Sequence, residues 1–228
     1  MATSSSSSDE TEPAVPVVDA IREAIANGEF VPNQRLVEAD LSERFDASRT
    51  SVRTALVELT SEGLVERVQN RGARVRAVSL TEAIEITEVR MVLEGLCAAK
   101  AAEQLTEDNR DQLRAIGSAM QGAVAAGDLL DYSELNKQLH ALVLTLAGQT
   151  TARSILKRLR GQNVRHQFQL AMHPGRAAVS LPQHLEIIEA LCAGEPETAE
   201  AAMRRHLRSV IDTLPEVETT RIRRFNAR

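Results

Sequence analysis

The chain has 228 residues, enough for two domains with cores of their own. Hydrophobic residues make up 43% and charged residues 26%, an ordinary globular composition, and no run of 18 apolar residues exists to span a membrane. The net charge of −5 does not mark a nucleic-acid binder, but it is unevenly spread: residues 48–76 hold six Arg against three Glu, a local excess of +3.

Aromatic residues are only 2% of the chain, so the cores must be built from Ala, Leu, Ile and Val. With 11 Gly and 7 Pro, the composition favours long helices with few turns. The N-terminus has no basic region followed by an apolar stretch, so it does not read as a secretory signal. Cys97 and Cys192 are the only cysteines. Each sits among small and apolar residues and reads as a buried core thiol, which fits a reducing cytoplasm.

Residues 1–12 are Ser-rich and polar and are expected to be a disordered tail. Residues 15–27 place Val18, Ile21 and Ile25 at helical spacing and stop at Asn27-Gly28. A turn with Pro32 leads to a short helix over 37–45, with Leu41 and Phe45 inward. After the tight link Asp46-Ala47, Ser48 stands as the N-cap of a helix whose Val52, Leu56 and Leu59 face a core. Two period-two stretches, 64–68 and 73–77, flank Asn70-Arg71-Gly72 and predict a β-hairpin. From Thr81 the pattern is helical, with six helices expected at 81–104, 107–126, 128–147, 150–172, 177–193 and 195–214.

Helix, helix, tight turn, helix and hairpin form the order of a winged helix-turn-helix. Its second motif helix presents early side chains to the major groove. Here those are Arg49, Thr50, Ser51 and Arg53, following Ser48; Arg can donate two bonds to guanine, and Thr or Ser can bond phosphates or base edges. Arg71 at the hairpin tip would reach the minor groove or the backbone, and Gly72 would supply the positive φ of that tip. A solvated arginine face on any small helical domain is the plainer alternative.

The stretch LVEADLSERFDASRTSVRTALVELTSEGLVERVQNRGARV resembles the DNA-binding domain of GntR-family regulators. The usual pattern there has L-A-E, a turn, S-R-T-P-V-R-E-A-L, a Gly-Leu end and a wing with N-R-G. Ser51 replaces the usual Pro and Thr54 the usual Glu. The resemblance implies that Arg49, Thr50, Arg53 and the wing around Arg71 and Gly72 touch double-stranded operator DNA.

Three histidines draw attention in the helical part. Asn136 and His140 are four apart and share one helix face, while His184 and His206 lie on two successive helices that a short turn makes antiparallel. Three converging imidazoles would suit Zn²⁺, Ni²⁺ or Mn²⁺ with an open coordination position. Taken singly, each is more often a satisfied surface or core histidine, and His166 and His173 keep that reading.

Residues from Ser79 to about Leu214 resemble the FCD effector domain that accompanies many such regulators. The matching pieces are E-V-R-M-V-L-E (88–94), L-N-K-Q-L-H (135–140), Q-H-L-E-I-I (183–188) and A-M-R-R-H-L (202–207). The resemblance implies a divalent metal on His140, His184 and His206, with Asn136 where an Asp often stands, and a small effector, a carboxylic acid, that Arg90 assists in holding. An Arg90–Glu94 salt bridge is the local alternative. Six helices with a short linker look like the vanillate-regulator type of the FadR-like subfamily.

The expected protein is therefore mainly α: a disordered tail (1–12), a winged helix-turn-helix of three helices and a two-stranded wing (13–78), an all-α effector-binding and dimerisation bundle (79–214) and a C-terminal tail (215–228). The expected function is that of a cytoplasmic, homodimeric transcription repressor controlled by its effector. The alternative is a helical metalloenzyme using the histidines, for which Glu186 is the only nearby acid–base candidate.

Overall fold

A computed structural model describes the backbone of residues 16–68 and 72–226 and the side chains of that span as far as Thr220. The tail at 1–12 and Arg71 thus lie outside the described residues. The chain divides into two compact units, Met1–Val75 and Arg76–Arg228, a boundary three residues before the expected one.

The first unit contains α1 (Val17–Ala26), β1 (Arg35–Leu36), α2 (Glu38–Arg44), α3 (Arg49–Ser61), β2 (Val65–Val68) and β3 (Gly72–Val75). The apolar stripes read from the sequence meet in one core, where Ile21, Ile25, Leu41, Val52, Leu56 and Leu59 are all buried. Between α2 and α3 the chain turns through Asp46, whose φ is +46°. Ser48 then caps α3 by accepting a bond from Ser51 N–H. The wing is larger than expected. Three antiparallel strands run in the order β1-β3-β2, with Leu36 opposite Ala73 and Val68 opposite Gly72. Two residues are too few to show an alternation, so β1 leaves no periodic signal; it exists because β3 offers its free edge.

The second unit consists, among the described residues, of seven helices: α4 (Leu80–Ala102), α5 (Glu107–Ala126), α6 (Leu129–Leu146), α7 (Thr150–Gln162), α8 (Val164–Ala171), α9 (Arg176–Ala193) and α10 (Pro196–Asn226). Their starts follow capping chemistry. Ser79 caps α4, Thr106 and Asn109 form a capping box on α5, Asp128 accepts from Leu130 and Asp131 N–H, and Pro196 takes the first position of α10. α10 packs along α4 and α9, and α5 packs on α6 and α9. The shared core includes Cys97, Leu113, Met120, Leu139, Leu156, Ile187, Leu191 and Met203.

Three expectations differ from the structure of this unit. The predicted helix over 150–172 is interrupted at Asn163 (φ −97°, ψ 6°), a buried residue whose side-chain Nδ2 donates to Thr87 Oγ1 on α4 (3.1 Å). That makes seven helices where six were expected. The C-terminal tail expected from residue 215 is helical as far as Asn226. A proline inside a helix loses one bond and costs about 3 kcal/mol, which is why Pro215 reads as a stop. Beyond it, Val217 is buried in the bundle core and favours continuation. Of the two thiols, Cys97 is fully buried and pushed up to about 11 by desolvation, whereas Cys192 is only partly buried and donates to Arg110 O.

Gly127 closes α5 in the left-handed conformation at φ +72°, with nothing within 4 Å of where a Cβ would sit. Its substitution therefore tests conformation alone. Gly127→Ala is expected to destabilise the protein by about 1 kcal/mol, read as a lowered urea midpoint at unchanged m-value.

Candidate functional site

His140 on α6, His184 on α9 and His206 on α10 meet inside the helical unit. Their ring centroids are 5.7 Å (140–184), 5.4 Å (140–206) and 4.3 Å (184–206) apart. All three are buried, and one ring nitrogen of each lies within 4.8 Å of the others.

The other nitrogen of each ring is already committed. His140 Nδ1–H donates to Glu94 Oε2 at 2.8 Å, and His206 Nδ1–H donates to Gln183 Oε1 at 3.1 Å. For His184 the tautomer follows from a relay. Ser180 Oγ–H donates to Arg176 O, as helical serines do, so it accepts from Tyr132 O–H; Tyr132 Oη then accepts from His184 Nδ1–H at 2.9 Å. The lone pair of His184 Nε2 is left buried without a partner. This is the pattern of metal-binding histidines, in which the outer nitrogen is held by a carboxylate, hydroxyl or amide and the inner one is free. Burial lowers all three histidines, His184 and His206 well below the ordinary value, so each is held neutral as metal ligation requires.

Glu94 organises the site from behind. Its carboxylate accepts from Arg90 Nε (2.9 Å), from Arg160 Nη2 (2.6 Å) and from His140. Burial alone would raise it, but Arg160, Arg90 and His140 more than offset that and hold it well below the usual carboxylate range. The local alternative for Arg90 is present, a salt bridge to Glu94, and the side chain also borders the cavity in front of the histidines.

That cavity has an empty volume of about 650 Å³ including its mouth. Asn136, one turn before His140, borders it with its side-chain oxygen buried and unpartnered. His166 stands outside the cluster and bonds Val78 O through Nε2. The sequence reading missed Glu94 as the hub, Tyr132 and Gln183 as outer partners, and Arg160 and Arg176 at the cavity wall. Glu94 lies within a quoted motif and Tyr132 is the one tyrosine, but neither carries a spacing that points to a histidine on another helix.

In the first unit Arg49, Thr50, Ser51 and Arg53 are all exposed on the early turns of α3. They are not equally free. Ser51 Oγ lies 2.8 Å from Ser48 Oγ, so both hydroxyls are engaged at the cap, and Arg53 makes a two-armed bond to Glu38 at 2.9 and 3.2 Å. Gly72 has φ +86°, as expected of the wing. Arg35 on β1 and Arg67 on β2, both exposed, border one groove with Arg53. Arg35 went unnoticed because its strand did.

Comparison with known proteins agrees with this geometry. The profile of the bacterial regulatory proteins of the gntR family matches residues 13–75, and that of the FCD domain matches residues 85–209. The chain is 30% identical to the HTH-type transcriptional regulator LutR of Bacillus subtilis, over 83% of this chain and 95% of that one. It is 27% identical to the HTH-type transcriptional repressor RspR of Escherichia coli, over 86% of each. Among solved structures, E. coli McbR/YncC shares the fold with a TM-score of 0.78 at 21% identity, over 88% of this chain and 95% of that one.

A winged helix-turn-helix joined to a helical ligand-binding bundle defines a DNA-binding transcription regulator, not an enzyme. The chain belongs to the GntR family, in the branch that carries an FCD domain. The metalloenzyme alternative falls with that assignment.

The Glu94 hub yields a direct test. Glu94→Gln leaves Arg90 and Arg160 without their shared carboxylate, and breaking a buried ion pair on one side costs about 3–5 kcal/mol. Chemical denaturation of the metal-free variant should show a loss in that range; a loss below about 1 kcal/mol would mean that the hub is not needed for folding.

Proposed function

We propose that the protein is a cytoplasmic, homodimeric repressor whose operator affinity is set by a carboxylate effector bound beside a divalent metal. The observation that carries the reading is the set of three buried, neutral histidines whose outer nitrogens are all held and whose inner nitrogens have no other task. His140, His184 and His206 would hold the metal, with Asn136 offering a neutral amide oxygen and the remaining positions left to water or effector; the set suits Zn²⁺, Ni²⁺ or Mn²⁺. The metal would supply positive charge for an acid, and Arg90 adds a donor at the same cavity.

On the DNA side, Arg49 and Thr50 are the freest readers on α3. Arg53 reaches DNA on this reading by exchanging Glu38 for a phosphate or base. Ser48, Ser51, Arg71 and Gly72 complete the contact set at the cap and the wing. Dimerisation is supported by Val89, Val92 and Leu96, three large apolar side chains exposed at i, i+3 and i+7 on α4. A dimer engages two half-sites together, so an effector that favours one arrangement of the pair shifts operator affinity without touching DNA. Repression rather than activation follows the names of two relatives: RspR and the probable D-xylose utilization operon transcriptional repressor of Paenarthrobacter nicotinovorans.

Two measurements test the halves separately. Elemental analysis should find one divalent ion per chain, and at a metal concentration 100-fold above Kd stability should rise by about 2.7 kcal/mol. Chelation should abolish that gain, and His184→Ala should never show it; metal content unchanged in His184→Ala would defeat the site. For DNA, Arg49→Ala should weaken binding to the preferred duplex selected from a random pool by about 10- to 100-fold. Weakening equal on selected and random duplexes would reduce Arg49 to a phosphate contact.

A further inference from the structure

The effector cavity is more positive than one acid requires. Arg90, Arg160 and Arg176 all border it, and no acidic side chain does among the described residues. The one carboxylate behind the wall, Glu94, is already shared by Arg90 and Arg160. Lys137 also borders the cavity, but it is exposed and paired with Glu134.

Arg176 is unusual in its own right. It is the first residue of α9 and only 6% exposed. One arm is fastened to α10: Nη1 donates to Ser209 Oγ (2.8 Å), to Thr213 Oγ1 (3.2 Å) and, at 3.4 Å, to Ser209 O. These acceptors are neutral and leave its charge uncompensated. The other arm, Nη2, is buried with no partner. Gln167 on α8 borders the same cavity, and its amide nitrogen is likewise buried without a partner. Two donors without acceptors, one of them a buried cation, each cost free energy unless a ligand satisfies them. The acceptors Ser209 and Thr213 follow His206 by one and two turns of α10, so the guanidinium stands beside the histidine cluster as a second pole of the cavity without bonding to any of the three rings.

We propose that the effector is a short dicarboxylate, with one acid at the histidines and the other received by Arg176 Nη2 and Gln167 Nε2. This rests on the reading of the cavity as the effector site and adds its specificity. A two-pronged anion matches both the charge left by three guanidiniums against one carboxylate and the two sets of unsatisfied atoms, at His184 Nε2 and at Arg176 and Gln167. Arg176 is a binding residue on this account, and Ser209 and Thr213 position it.

The test compares succinate, glutarate and adipate with butyrate, valerate and hexanoate by calorimetry, on zinc-loaded and on metal-free protein. In the loaded wild type the best diacid should bind about 10- to 100-fold more tightly than the monoacid of equal length. Arg176→Met should erase that difference, costing diacids at least about tenfold more than monoacids, with zinc stoichiometry unchanged, and Arg176→Lys should restore part of it. Should Arg176→Met fail to fold by circular dichroism, Gln167→Leu carries the test, with about a tenfold loss for diacids and none for monoacids. Equal binding of diacids and monoacids overturns the proposal. So does an equal loss of both in the variants, or binding by none of the six acids while zinc still loads at one per chain. If zinc does not load at all, the metal reading falls alone, and the diacid preference is still expected in the metal-free titration at lower affinity.

Discussion

The helical unit depends on one buried carboxylate. Glu94 is 1% exposed and joins three helices: Arg90 lies on its own α4, His140 on α6 and Arg160 on α7. A lone carboxylate at that depth would protonate, and two lone guanidiniums would be still less favourable. Together they are tolerable, and the geometry that makes them so also orients His140 with its Nε2 forward. The same ionic contact thus fixes a fold feature and a ligand nitrogen. What it does not do is neutralise the site, because one negative charge serves two arginines.

The outer partners divide the remaining work by helix. Tyr132 on α6 reaches the His184 ring of α9 through a hydroxyl relay that ends on Arg176 O, and Gln183 of α9 holds the His206 ring of α10. Each histidine is oriented by a residue from a neighbouring element or turn, so the cluster forms only when α4, α6, α9 and α10 are all packed. The apolar core beneath, from Leu139 and Ile187 to Met203 and Leu207, is what brings them together.

Much of this was legible in the sequence, and the reasons are local. Apolar spacing and capping residues located nearly every helix, and Ser48, Thr106 and Asp128 all cap as their types predict. His184 and His206 were legible together because a short turn and helix spacing bring them level by counting, whereas His140 joined them through the resemblance to the FCD domain. The missing parts depend on contacts between distant segments. The helix is interrupted at Asn163, whose side chain bonds Thr87, 76 residues away, and β1 forms only against β3. Pro215 looks like a stop until the burial of Val217 is known. Arg176 looks like a loop residue after Pro174-Gly175, and nothing in its neighbourhood announces that its charge ends in a cavity.

The distribution of these residues along α4 bears on how a ligand signal would travel. Arg90 and Glu94 face inward to the site, while Val89, Val92 and Leu96, offset by a residue or two, face outward. Sites one or two residues apart on a helix point to different sides yet move as one rigid element. In the proposed dimer, a ligand that pulls on Arg90 acts on the same helix that meets the partner. The chain link to the DNA-reading unit is also short, since β3 ends at Val75 and α4 begins at Leu80. The bundle's other long element, α10, lies along α4 and carries both His206 and the hydroxyls that hold Arg176. A ligand bridging the two poles of the cavity therefore engages α4 through Arg90 and α10 through His206 and Arg176, whereas a monoacid at the histidines would leave the Arg176 pole untouched. On the dicarboxylate proposal such a ligand would hold α4, α9 and α10 together, and it shifts the population only in so far as it does so better in one arrangement of the dimer than in the other.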